Sequence, residues 1–117
     1  MKKLALGLLM GWLALHAGAA ELKWETDLPA AQAQAKKEKK MVLMDFTGSD
    51  WCGWCIKLNK EVFSTKEFQD YAKDNLVLVE LDFPSKKKQT DALKKANEKL
   101  KNKYEADGFP KIGRAHV

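Results

Sequence analysis

Two apolar runs constrain this chain more than any other feature: Met41-Val42-Leu43-Met44-Asp45-Phe46 and Leu76-Val77-Leu78-Val79-Glu80-Leu81-Asp82. Each is short and almost continuously apolar, as a central strand covered on both faces must be. Helix-forming stretches lie before, between and after them. Strands that alternate with helices predict an α/β layer with parallel central strands.

The remaining elements follow from local signals. Leu22-Lys23-Trp24-Glu25 reads as a short edge strand. Asp27 is placed to cap a helix with Pro29 in its first turn, where the missing N–H has no partner to lose. Ala30 to Lys40 is rich in Ala, Gln, Lys and Glu, all good helix formers. Thr47-Gly48-Ser49-Asp50 is a turn, and a helix from Gly53 or Trp54 to about Glu61 or Val62 is expected after it. Ser64-Thr65-Lys66-Glu67 has the pattern of a capping box, predicting a helix to Lys73 with Ser64 as its cap. Phe83-Pro84 ends the second run, and Ser85 is placed to cap the next helix. Within 86–104, Leu93, Ala96 or Asn97, Leu100 and Tyr104 recur at helical spacing, with lysines on the other face. Ala106-Asp107-Gly108 then turns into Phe109-Pro110.

The 117 residues suffice for one domain, and 45% apolar with 32% charged residues suits a globular rather than a disordered chain. Residues 1–20 read as a secretory signal peptide: Lys2 and Lys3, an apolar run from Leu4 to Leu15, and the small residues Ala17-Gly18-Ala19-Ala20. The mature protein is then exported, with a bacterial periplasm as its expected compartment and no membrane association after cleavage. Residues 21–110 form the expected domain. Lys111 to Val117 hold the only arginine and match the translation of a common sequencing adapter. They are expected to be a non-native tail on a gene interrupted near Pro110. Removing Lys2, Lys3, Lys111 and Arg114 from the 21 basic residues leaves 17 against 16 acidic ones. No electrostatic case for a nucleic-acid partner survives that subtraction.

The chemistry lies in Trp51-Cys52-Gly53-Trp54-Cys55, which holds both cysteines. Cys52 would sit at a helix N-terminus, where unpaired backbone N–H groups and the helix dipole favour a thiolate. Cys55, one turn on, lies on the same face. Cys52 could then form a mixed disulfide with a substrate, and Cys55 could resolve it. Other uses of two cysteines fit less well. Zinc usually takes four ligands, and the only histidines, His16 and His116, lie in the two doubtful ends. A haem attachment site needs His after the second cysteine, where Ile56 stands. A structural disulfide of this spacing closes too small a loop to stabilise much. Copper(I) handling by two thiols stays open.

Asp45-Phe46, Trp51-Cys52-Gly53-Trp54-Cys55 and Gly108-Phe109-Pro110 together resemble the thioredoxin superfamily. The nearest resemblance is to exported thioredoxin-like proteins, including the thioredoxin-like domain of thiol:disulfide interchange proteins. The resemblance covers about Leu22 to Pro110. It implies a thioredoxin-like fold, Cys52 as attacking and Cys55 as resolving cysteine of a redox-active disulfide, and Pro110 as a cis-proline facing them. It also implies Asp45 as a buried proton acceptor and Trp51 as a flank of the site, with Gly53 and Trp54 between the cysteines. No cofactor or metal is implied. The partners would be protein disulfides or dithiols and an upstream electron-transfer partner. Trp54 stands where thioredoxin itself has proline, and the turn before Trp51 is one residue longer. The strands and last helix expected after the cis-proline are missing from the sequence. The fold is therefore expected to be incomplete, with Met41–Phe46 exposed as an apolar edge. The function expected is exchange of disulfides with substrate proteins. The alternatives are periplasmic copper(I) handling or a redox-inert binding module on the same scaffold.

Overall fold

The computed structural model describes residues 22–117; the expected signal peptide, residues 1–20, lies outside them. Nine elements follow one another: strand β1 (Trp24–Glu25), helix α1 (Leu28–Glu38), β2 (Met41–Thr47), α2 (Gly53–Leu58), a π-helical turn (Asn59–Phe63), α3 (Lys66–Asn75), β3 (Leu76–Asp82), α4 (Asp91–Lys103) and β4 (Lys111–Ala115). The strands form one sheet in the order β1-β3-β2-β4. The two apolar runs are its parallel central pair, in register from Met41 opposite Leu76 to Thr47 opposite Asp82.

Period-two alternation divides the central strands between two faces. Val42, Met44 and Phe46 share one face with Val77, Val79 and Leu81, and pack with Leu28, Ala31 and Ala35 of α1. Ala31 and Ala35 are wholly buried. Leu100 and Tyr104 from α4 and its C-terminal end close the same side. The second face carries Leu43, Asp45 and Thr47 beside Leu78, Glu80 and Asp82. Over it lie α2, the π-helical turn and α3, with Phe63 meeting Trp24 edge-on and Phe68 at a tilt, at centroid distances of 5.1 and 4.9 Å.

The expectation of an incomplete fold that lacks its C-terminal strands is overturned by β4. Lys111–Ala115 pairs antiparallel with β2, from Lys111 opposite Phe46 to Ala115 opposite Val42. A bare β2 edge would leave a row of backbone N–H and C=O groups unpaired, and β4 supplies their partners. Its side chains suit the place. Gly113 stands opposite Met44 and Ala115 opposite Val42, so small residues meet large ones, and Ala115 is buried in the core. The apolar edge expected on β2 is covered.

Three local expectations also shift. Thr65, not Ser64, caps α3, its Oγ1 accepting from Phe68 N–H at 3.3 Å. Ser85 caps nothing helical; Thr90 caps α4, which starts only at Asp91. At the ambiguous helical position it is Asn97 that is buried, donating to the Asp82 carbonyl at 3.1 Å, while Ala96 is exposed. Asp27 does cap α1, accepting from Ala30 N–H at 3.3 Å.

Candidate active site

The site grows from the C-terminal end of β2, where the chain leaves the sheet at Thr47. Trp51 N–H and Cys52 N–H both donate to the Gly48 carbonyl, at 3.2 and 2.9 Å. The Trp51 ring lies directly over Gly48, where any Cβ would collide with it. Glycine is required there by that close approach. Trp51 Nε1 donates to the Phe83 carbonyl at 2.7 Å, and its ring meets Phe109 edge-on with centroids 5.6 Å apart.

Two carboxylates pin this turn to the end of β3 and the loop after it. Ser49 donates twice to Asp82, from its backbone N–H at 3.0 Å and its hydroxyl at 2.5 Å. Asp50 accepts from the backbone N–H groups of Ser85, Lys86 and Lys87 at 2.8, 2.7 and 2.8 Å. Those donors favour the charged form and hold the Asp50 carboxyl down at about 2.

Cys52 occupies the N-cap of α2 in extended conformation, and its Sγ accepts from Cys55 N–H at 3.2 Å. Cys52 and Cys55 are joined as a disulfide, with their Cα atoms 5.2 Å apart. Both are buried, whereas Trp51 and Trp54 beside them are 50% and 70% exposed. Lys57 Nζ stands 5.2 Å from the centre of the Trp54 ring. Gly53 is exposed, with open space where a Cβ would be. The Phe109–Pro110 peptide bond is cis. Phe109 packs on Trp51 and on Phe83, which brings the segment before Pro110 to the flank of the cysteine turn.

Asp45 lies behind the disulfide. It lines a cleft of about 380 Å³ with Trp24, Thr47, Cys55, Asn59 and Glu80. It is 8% exposed, and its Oδ1 has no hydrogen-bond partner among the described residues. Burial, then the nearby charges of Glu80 and Asp82, push its carboxyl up to about 7. Glu80 is raised too, by burial first and Asp82 second, with Lys87 opposing. The sequence expectations thus fall in three places: Trp51, Cys52, Gly53 and Trp54 in the cysteine turn, Pro110 at the cis bond after Phe109, and Asp45 in the cleft it shares with Cys55. Glu80, Asp50, Ser49 and Asp82 were missed. One signal was legible: each apolar run carries an acid at its fifth residue, and parallel pairing in register sets Asp45 opposite Glu80.

Comparison with known proteins agrees with this geometry. A thioredoxin-like family model matches residues 23–112. The disulfide bond reductase DsbH of Chlamydia pneumoniae is 39% identical over 94 residues, covering 80% of this chain and 56% of that protein. The thioredoxin-related protein DsbJ of the same organism is 31% identical over 87 residues, covering 74% of this chain and 25% of DsbJ. The chain therefore spans little more than half of one curated relative and a quarter of the other. Among solved structures, a DsbH oxidoreductase superposes with a TM-score of 0.75 at 34% identity, over 83% of this chain and 74% of that one. A thioredoxin from Thermus thermophilus gives 0.59 at 20% identity, over 83% and 69%, a likeness of fold alone. With the family match running from Lys23 to Ile112, through both cysteines and Pro110, this chain belongs to the thioredoxin-like family.

Proposed function

We propose that the protein is an exported thiol–disulfide oxidoreductase that reduces disulfides in other proteins, working in a bacterial periplasm. The observation that carries this reading is the placement of Cys52 at the cap of α2, its Sγ accepting the Cys55 N–H while bonded to Cys55. The same N–H favours a thiolate once the bond is reduced. The similarity to a protein described as a disulfide bond reductase favours the reductive direction. Export rests on the sequence of residues 1–20.

In this cycle the Cys52 thiolate attacks a substrate disulfide. One substrate sulfur bonds to Cys52 and the other leaves as thiolate. Cys55, having lost its proton to Asp45, attacks Cys52 Sγ. The Cys52–Cys55 bond closes, the second substrate thiolate leaves, and two electrons have passed to the substrate. An upstream dithiol donor restores the reduced pair. Pro110 forms the wall against which the substrate chain lies, and Trp51 and Trp54 supply apolar surface beside the sulfurs.

Reduction of insulin by dithiothreitol tests the assignment. The wild-type protein is expected to accelerate it, and Cys52→Ser is expected to abolish the acceleration. Unchanged activity in that variant would refute the function.

A further inference from the structure

The acid opposite Asp45 has no part in the cycle above, although its position is unusual. Glu80 and Asp45 are register partners on adjacent parallel strands, and both line the cleft that reaches Cys55. Neither makes a salt bridge to a described residue. Asp45 Oδ1 is buried without a partner among the described residues. Two carboxyls side by side in a partly desolvated cleft resist simultaneous ionisation, so their protons come off in coupled steps.

The groups around the pair bring one further acid and one opposing lysine. On β3, Asp82 adds a like charge, though Ser49 binds it. Lys87 opposes from the loop beyond β3. From α2 and the π-helical turn come Cys55, Ile56, Asn59 and Phe63, and from β1 Trp24, none of them a fixed charge. From β4, Ile112 stands opposite Asp45, and Arg114 is directed to Met41 Sδ at 3.7 Å.

We propose that Glu80 acts through Asp45, the two carboxyls serving as one proton-holding pair behind Cys55. This deepens the oxidoreductase reading and rests on it. With both carboxyls ionised, repulsion makes the pair a stronger base than a lone carboxylate, closer to a thiol in proton affinity. The pair takes the proton of Cys55 S–H, leaving Cys55 S⁻ and a pair that shares one proton. Cys55 S⁻ bonds to Cys52 Sγ as the bond from Cys52 to the substrate breaks. The departing substrate thiolate takes the proton from the pair through the cleft. Mixed disulfide and thiol have become internal disulfide and substrate thiol, with no other reactant. Glu80 is a positioning residue in this scheme: it touches no sulfur and sets where Asp45 gains and loses its proton.

The test has two arms. In the oxidised protein the cysteines do not titrate, so carbon-13 NMR of the side-chain carboxyls reads the pair alone. Asp45 and Glu80 are expected to show shared two-step titrations. In Glu80→Gln, Asp45 is expected to titrate in one step at lower pH, and in Glu80→Asp the coupled behaviour should return. Independent one-step curves in the wild type, or an unmoved Asp45 curve in Glu80→Gln, would overturn the pair. In the reduced protein, single-turnover release of substrate from the mixed disulfide is expected to slow about tenfold in Glu80→Gln. The acid limb of its pH profile should move down with Asp45, and Glu80→Asp should rescue both. A profile that coincides with wild type would overturn the role of Glu80 while leaving the oxidoreductase intact. A wild-type protein that releases nothing, yet shows coupled carboxyls, would count against the oxidoreductase reading and hence against this use of the pair.

Discussion

At the scale of single residues, the site sets a stabilising carboxylate, Asp50, against a destabilising one, Asp45. The Asp45 carboxyl rises from 3.8 to about 7 in the fold. A raised folded value means that its favourable contribution is full below about pH 4 and lost as pH rises to about 7. Asp45→Asn, which cannot ionise, is therefore expected to stabilise the oxidised protein at neutral pH, by about 2 kcal/mol after allowance for solvent. Urea denaturation at pH 7 and at pH 4 checks this, and the gain should shrink at the lower pH. Asp50 has the opposite sign. Its carboxyl falls from 3.8 to about 2, so its clamp is present above pH 4 and fails only as pH drops towards 2. Cys55→Ser should leave Cys52 able to attack but nothing to resolve the product, so a covalent adduct with substrate is expected on a non-reducing gel. The cysteines were legible because their spacing and the strand before them suffice to place them. Asp50 was not, because its three partners are backbone N–H groups 35 to 37 residues away, which no side-chain pattern announces.

At the scale of elements, the strands and helices follow from periodicity, while their ends follow from competition between neighbouring caps. Ser64 and Thr65 both offer a hydroxyl, but the helix before α3 continues as a π-helical turn to Phe63. Ser64 N–H then donates to the Asn59 carbonyl at 2.8 Å, which ties Ser64 to the preceding turn and leaves the cap to Thr65. Thr65→Ala is expected to cost about 1 kcal/mol, and Ser64→Ala much less, as chemical denaturation would show. The late start of α4 has a similar cause. Ser85 cannot open a helix while its N–H, with those of Lys86 and Lys87, is held by Asp50. Asp50→Ala should therefore speed amide hydrogen exchange at these three residues and leave exchange within β2 and β3 unchanged. The π-helical turn had no sequence signal: Asn59 to Phe63 continues the apolar spacing of an ordinary helix, and its wider winding shows only in backbone bonds.

At the scale of the molecule, the alternation of strands and helices predicts the parallel pair, and the register of β2 with β3 then follows. The antiparallel strand β4 was not legible. Lys111-Ile112-Gly113-Arg114-Ala115 has little β-propensity around its glycine, and its strand state comes from the open edge of β2 rather than from its own side chains. A chain ending at Pro110 is accordingly expected to lose cooperative unfolding and to aggregate, which light scattering would reveal. The direction of β4 has a further consequence for attachment. The sulfurs lie where β2 ends, but β4 runs back from Phe46 to Val42, and His116 reaches α1, its carbonyl accepting from Gln32 Nε2 at 2.8 Å. Leu22 lies beside Lys73 and Leu76, at the start of β3. The first and last described residues thus share the pole opposite the disulfide, so a tether, tag or neighbouring domain joined at either one would hold the protein by its base and leave the redox tip facing outward.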